Sequence, residues 1–365
     1  MGESLSNLID LSNILNDLSC HNLTDLASKL AIDKDDVYKM LVRLQDYGVK
    51  IDLTKQESCQ LHEALSFIDE QYIRDNINNP NLDIILFETI DSTNEYLKKI
   101  SSKNAILKAD QELNSNLSGE RPECTSEYMR TRTHDKFEEQ SLICEEYVCI
   151  AEHQSKGKGR MSRKWHSPFA KNIYLSYGFV FNGITDDLSG LALVVSIALV
   201  EALKETIKAD LMIKWPNDIT YKGEKIIGIL IEIINKPSQN PYVIIGIGIN
   251  VNMKEDVSGE ITKKWCSLAN IAGSDIDRSK LCVKIIDKLT GYLDKFNKQG
   301  FPYFIDAWNK LDILANQEIK VMSGNVEYQG KAIGVDQEGN LLIEQGDGSI
   351  KTCFHGDTTI IPISR

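Results

Sequence analysis

The residues from Gln154 to Pro168, QSKGKGRMSRKWHSP, have the types and spacing that most directly suggest chemistry. Lys156, Lys158, Arg160, Arg163 and Lys164 fall within nine residues with no acid among them, in a chain whose formal net charge is -12. Gly157 and Gly159 separate the cations, and a missing Cβ lets backbone N–H groups turn inward and approach an anion. The stretch reads as a phosphate-handling loop. Taken alone, a run of like charge also fits a solvated basic turn.

Three other stretches bear on that choice. Asp91-Ser92-Thr93-Asn94 groups short hydrogen-bonding side chains, which alone fit a helix N-cap. Lys214 to Asp218, KWPND, is a turn that stops a strand and projects a carboxylate, and alone it is an ordinary Asx-type turn. Two apolar, β-branched runs, Lys225 to Ile233 and Tyr242 to Val251, read as buried strands. Gly228 interrupts the first and Gly246 and Gly248 the second, which predicts that something approaches the backbone there.

DSTN at 91–94, the glycine-rich basic loop ending in RKW at 163–165, KWPND at 214–218 and GIGIN at 246–250 together resemble the motifs of biotin–protein ligases. The likeness is to the bifunctional ligase/repressor type with an N-terminal winged helix, and it covers the chain apart from residues 101–146. It implies two steps. The biotin carboxylate attacks the ATP α-phosphate to give biotinyl-5′-AMP and pyrophosphate, and the adenylate then acylates one lysine of a biotin carboxyl carrier protein. Step one needs cations on the phosphates and a bound Mg²⁺. Both steps need water excluded, which a glycine-hinged loop can achieve by ordering over the ligand.

The resemblance also implies roles. Ser92, Thr93, Asn94 and Gln154 would bind the biotin head, while Lys158, Gly159 and Arg160 would bracket its carboxylate and the α-phosphate. Arg163 and Lys214 would lie on phosphate, Lys225 would polarise the reacting carbonyl, and Asp218 would hold or deprotonate the acceptor lysine. Asn217, Asn250 and Trp265 would touch the adenylate, the indole covering the adenine. The loop departs from the family's usual G-R-G-R-x-G-R, with Lys158 for the first arginine and Ser162 for the third glycine. Lysine lacks the bidentate fork, and serine is less free to take positive φ. Two alternatives stay open: a lipoate–protein ligase, and a biotin-sensing DNA-binding regulator that transfers biotin weakly.

The elements that must position these residues predict an α+β chain in three parts. Residues 1–65 read as a winged helix-turn-helix: a helix with Leu8, Leu11, Ile14, Leu15 and Leu18 on one stripe, a second over Leu23–Leu30, a third over Asp35–Tyr47, then extended chain. This part holds six basic and eleven acidic residues, against the needs of a DNA reader. Lys34, Lys39 and Arg43 form its thin basic edge for an operator, and two half-sites would call for a ligand-coupled homodimer. Residues 66–315 read as a mixed-sheet ligase-like catalytic domain, with strands at 84–88, 148–152 and 172–181 and helices at 188–207 and 279–300. A polar insertion occupies about 101–146. Residues 316–365 read as five short strands of an SH3-like barrel.

Composition narrows the class further. No apolar run approaches the roughly 18 residues a membrane span needs, and the acids before the first apolar positions argue against a secretory signal. Eight cysteines without a C-x-x-C pair fit reduced thiols and a cytoplasmic location. The six histidines show no metal-site spacing, so no protein-built metal site is expected.

Overall fold

The computed structural model describes residues 6–54, 57–102, 146–182, 188–235, 240–256, 259, 261–323, 326–354 and 358–362. The expected insertion lies, apart from its ends, outside the described residues. Among those described, no helix is long and apolar enough to cross a membrane.

The N-terminal part runs α1 (Ser6–Leu15), β1 (His21–Asn22), α2 (Leu23–Leu30), α3 (Lys34–Asp46), β2 (Ile51–Thr54) and β3 (Ser58–Leu61). The apolar stripes predicted from the sequence meet here, with Leu11, Leu15, Leu26, Val37, Leu41 and Leu44 buried together. Leu18 departs from its expected place. It lies beyond α1 at φ 60°, exposed, where the chain reverses.

This small core does not close on itself. Phe169 and Ala170, which follow the basic loop, are buried in it, and Tyr47 stacks on His153 at 3.8 Å. Lys171 pairs with Glu63 at 2.7 Å, and Lys50 pairs with Glu255. The connecting segment is held by a buried pair. Arg278 Nη1 donates to Glu152 Oε2 at 2.6 Å, Glu152 Oε1 accepts from the Ile68 N–H at 2.6 Å, and Arg278 also donates to the Ser66 carbonyl. Glu88 is buried at the same seam, near Arg43 and the Ile9 N–H, with Oε2 unpartnered. Burial, partly offset by the Ile9 N–H and Arg43, pushes its carboxyl up to about 7.

After α4 (Glu70–Asn76) come β4 (Asp83–Ile90), helical residues 93–102 (α5), β5 (Glu146–Gln154) and β6 (Ile173–Val180). Next are α6 (Leu191–Lys204), β7 (Leu211–Lys214), β8 (Asp218–Tyr221), β9 (Glu224–Ile234) and β10 (Tyr242–Ile249). They form one seven-stranded mixed sheet, ordered β4-β5-β6-β10-β9-β8-β7, parallel only between β4 and β5. β8 was not expected. The KWPND turn is a hairpin whose Asp218 opens the return strand opposite Lys214.

Strand alternation gives the sheet two unlike faces. Ile227, Ile229, Ile245, Ile247 and Ile249 join the main core with α6 and α8 (Arg278–Gln299). The intervening positions carry Gly228, Leu230, Glu232, Gly246 and Gly248, and register sets Gly228 beside Gly248. The β-branched runs are therefore buried on the helix side, while glycines leave the other side open to close approach.

Between the two comes α7 (Leu268–Ala272), and after α8 comes α9 (Ile305–Asn309). The last part is a small antiparallel sheet of β11 (Glu318–Ser323), β12 (Val326–Val335), β13 (Leu341–Glu344), β14 (Ile350–Cys353) and β15 (Thr358–Pro362). Its inner residues Ile319, Val321, Ala332, Leu341 and Ile343 continue the main core, and Trp215 Nε1 donates to the Gly339 carbonyl at 3.0 Å.

A candidate active-site cleft

A cleft of about 470 Å³ opens on the glycine-bearing face of the sheet. All fourteen residues singled out from the sequence for the ligand site line it, brought from well-separated stretches of chain. The three N-terminal residues singled out for DNA lie elsewhere. Lys39 pairs with Asp36 at 2.7 Å, and Arg43 Nε donates to the Tyr47 hydroxyl at 2.7 Å, so both are engaged within α3 and its C-terminal end. Lys34 opens that helix.

At the closed end, Ser92, Thr93 and Asn94 are buried where α5 begins. Gln154, the last residue of β5, accepts at Oε1 from the Thr93 N–H (2.9 Å) and hydroxyl (3.2 Å). The motif is thus a helix start and a pocket wall at once. Asn94 occupies the space over Gly246 that a Cβ would fill, and its Oδ1 accepts from the Ser176 hydroxyl at 2.5 Å.

An unforeseen ion chain leaves this end. Asn94 Nδ2 donates to Glu232 Oε2 (2.8 Å), and Lys98 bridges Glu232 Oε1 (2.7 Å) and Glu95 Oε1 (2.8 Å). Glu95 Oε1 also receives Lys158 of the basic loop at 2.7 Å. Hydrogen bonds from Lys158 and then Lys98 hold the Glu95 carboxyl down at about 2.

The basic loop folds over the glycine floor. Gly159 N–H donates to the Arg163 carbonyl at 2.7 Å around a tight turn in which Met161 and Ser162 both take φ 56°. Ser162 takes the left-handed region despite its Cβ, and the Gly159 N–H here closes the loop. Gly157 is required for packing, since a Cβ there would lie 2.6 Å from the Trp165 carbonyl oxygen.

Trp165, which ends the RKW motif, fills the space over Gly228 and Gly248 that their Cβ atoms would occupy. Its Nε1–H is buried without an acceptor among the described residues. Such a donor costs about 1–3 kcal/mol, so this indole position would gain from a ligand that offers an acceptor.

Toward the mouth, Lys225 Nζ lies 2.6 Å from Asp218 Oδ1 and 5.3 Å from the Trp165 ring. Arg160 donates to Asn217 Oδ1 at 3.2 Å, while Asn217 Nδ2 holds the Ile229 carbonyl at 2.5 Å. Asn250 braces the backbone, donating to the carbonyls of Lys225 and Cys266 at 3.3 Å each. Trp265 bridges to Lys225 and lines the same wall. Lys263 was not singled out from the sequence. Burial, and then the charge of Arg163, lower its pKa, with Lys225 and Lys214 adding to the effect. The mouth is therefore a cluster of cations around one carboxylate, an arrangement suited to a polyphosphate. Among the described residues, no group of three or more His, Cys, Asp or Glu side chains is arranged to hold a metal ion.

Residues 122–250 match the Biotin/lipoate A/B protein ligase family, and residues 315–357 match the Biotin protein ligase C terminal domain. The bifunctional ligase/repressor BirA of Salmonella typhimurium is 30% identical over 96% of this chain and 97% of its own. That of Escherichia coli is 29% identical over 93% and 92%. The biotin protein ligase of Aquifex aeolicus, solved in complex with biotin and ATP, superposes with a TM-score of 0.56 at 26% identity, covering 77% of this chain and 99% of that one. Similarity along nearly the whole length places this chain in the biotin/lipoate A/B protein ligase family, among relatives named as bifunctional ligase and repressor.

Proposed function

We propose that the chain is an ATP-dependent biotin–protein ligase, which makes biotinyl-5′-AMP and transfers the biotinyl group to a lysine of a carboxylase's biotin carrier domain. The observation that carries this reading is the convergence of a buried polar end, a glycine floor and a cationic mouth in one cleft. A ureido head presents N–H donors, which Asn94 Oδ1 and the Ser92–Thr93–Gln154 group can meet. A dithiolane head offers none, and this favours biotin over lipoate.

In the first step a carboxylate oxygen bonds to the α-phosphorus and pyrophosphate leaves. Lys158 and Arg160 hold the carboxylate and α-phosphate, and Arg163 and Lys214, joined by Lys263, hold the departing phosphates. These cations are not metal ligands and Asp218 is the one carboxylate in the lining, so Mg²⁺ would enter carried by the triphosphate and would supply further charge neutralisation to the phosphates. Trp265 covers the adenine, with Asn217 and Asn250 steadying the walls around it. In the second step the acceptor amine attacks the carbonyl carbon and AMP leaves. Lys225 polarises that carbonyl, and Asp218, which here already holds an ammonium, takes up the incoming lysine and its proton.

We assign residues 1–65 to a winged helix-turn-helix, 66–315 to the catalytic domain and 316–365 to an SH3-like barrel. The helix–helix–strand–strand order of the first part and the names of the relatives support a second, regulatory role at operator DNA. Lys34, Lys39 and Arg43 would supply its basic edge, with a ligand-coupled homodimer spanning two half-sites. Salt-dependent, sequence-selective binding in the presence of ligand is the expected result, and its absence at moderate salt sinks this role.

The ligase reading is tested by intact mass of a biotin carrier domain after incubation with the protein, biotin and Mg·ATP, beside Lys225→Ala. One biotinyl addition, lost in the variant, is expected. Biotin-dependent pyrophosphate release without addition would instead indicate an adenylate-forming sensor.

A further inference from the structure

The ion chain at the closed end of the cleft has more order than a solvated cluster needs. Glu95 and Lys98 lie on α5 three residues apart, Glu232 on β9, and Lys158 on the basic loop. They alternate in sign from Lys158 through Glu95 and Lys98 to Glu232, with each contact between 2.7 and 2.8 Å. A carboxylate only accepts hydrogen bonds, so Glu232 must face the NH₂ side of the Asn94 amide. That fixes Asn94 Oδ1 toward Ser176 and the cleft, with one lone pair still to offer. Without Glu232, the amide could turn and present a donor instead.

The other end of the chain has the matching property. Lys158 carries three donors on a flexible stem, and a lone lysine in a glycine-flanked loop would sample many positions. Glu95 receives it and keeps its ammonium at the cleft wall. Burial works against the charge on Lys98, yet Glu232 and Glu95 together hold its pKa above the ordinary value, so the central link stays charged.

Building on the ligase reading, we propose that Glu95, Lys98 and Glu232 are positioning residues for the acid substrate: Glu232 sets Asn94 as the acceptor for its head, Glu95 sets Lys158 for its carboxylate, and Lys98 ties the two settings together. Head recognition and carboxylate binding then share one rigid element, α5. A substrate whose head lacks an N–H donor meets a fixed acceptor and leaves it unpaired, which builds selectivity into the residues behind Asn94.

The test uses the full-length protein and biotin-dependent ATP–pyrophosphate exchange, giving KM for biotin and for ATP, with a melting temperature for each variant. Glu232→Gln and Glu95→Gln should each raise the biotin KM about tenfold, as expected for losing one charge-assisted hydrogen bond. The ATP KM should stay within about twofold. Asn94→Asp sets two carboxylates side by side and should bind biotin worse than Glu232→Gln. The double variant Asn94→Asp/Glu232→Gln should recover, because the amide introduced on β9 can donate to the new carboxylate on α5, which again presents an acceptor. A biotin KM within about twofold of wild type in both glutamine variants overturns the inference. So does an equal rise in both KM values with a lowered melting temperature, or a double variant that fails to recover. A wild-type protein without biotin-dependent exchange overturns the ligase reading itself, and this inference with it.

Discussion

Replacing Gly248 by alanine should weaken ligand handling while leaving the fold intact. Gly248 and Gly228 are register partners on β10 and β9, and the Trp165 indole lies across both. A Cβ on Gly248 would stand about 2.6 Å from indole atoms Cζ2 and Nε1, where carbon atoms normally meet at roughly 3.5–4.0 Å. The ring would have to lift by about 1 Å. The same ring also occupies the space over Gly228, where a Cβ would lie 2.7 Å from Cζ3, so the indole rests on both strands at once. Overpacking of this kind costs about 1–3 kcal/mol, and the indole is anchored to the basic loop, so the cost falls on the loop's ordered form. The expected result is a rise of about five- to hundredfold in the dissociation rate of biotinyl-adenylate, measured by stopped-flow chase, with a melting temperature close to wild type. A rate within about twofold of wild type would refute the packing of Trp165 on the floor.

Three other substitutions probe the scaffold. Arg278→Ala leaves Glu152 buried and unpaired at the segment joining the N-terminal part, and urea unfolding should show a loss of about 3–5 kcal/mol; a loss below about 1 kcal/mol contradicts the clamp. Glu88 binds its proton more tightly folded than unfolded, so its contribution is fully present below about pH 4.5 and lost as pH rises through about 7. Glu88→Gln removes that slope and should gain about 1–3 kcal/mol on the wild type between pH 5 and pH 8. Parallel urea midpoints for the two proteins at both pH values would rule this out. Gly291→Ala, exposed in the middle of α8 with nothing near its Cβ position, should raise stability by about 0.5–1 kcal/mol and leave adenylation unchanged; a lowered melting temperature would contradict it.

Much of the site was legible because its motifs are short and contiguous: the basic loop, KWPND and the interrupted strands each announce themselves within a brief run of residues. The glycines at 228, 246 and 248 correctly foretold close approach, but not by what. Asn94 and Trp165 fill those places through contacts spanning more than sixty residues of sequence, which no local pattern encodes. Glu95, Lys98, Glu232 and Ser176 were missed for the same reason, since each looks like ordinary helix or strand surface until register pairs them. β8 escaped because four residues are too few to show alternation. Leu18 shares the apolar stripe of α1 yet lies past its end, where backbone reversal overrides side-chain periodicity.

The alternating chain behind Asn94 has one consequence for kinetics. Two ammonium groups and two carboxylates sum to no net charge, so their field falls away within a few ångströms of the cleft wall. The chain can order a bound acid but cannot attract one from solution. Capture of an anionic nucleotide by a protein of net charge -12 therefore depends on the cations at the mouth, Arg160, Arg163, Lys214 and Lys263 among them. Raising ionic strength should slow encounter through those cations while leaving the discrimination between acid substrates nearly untouched.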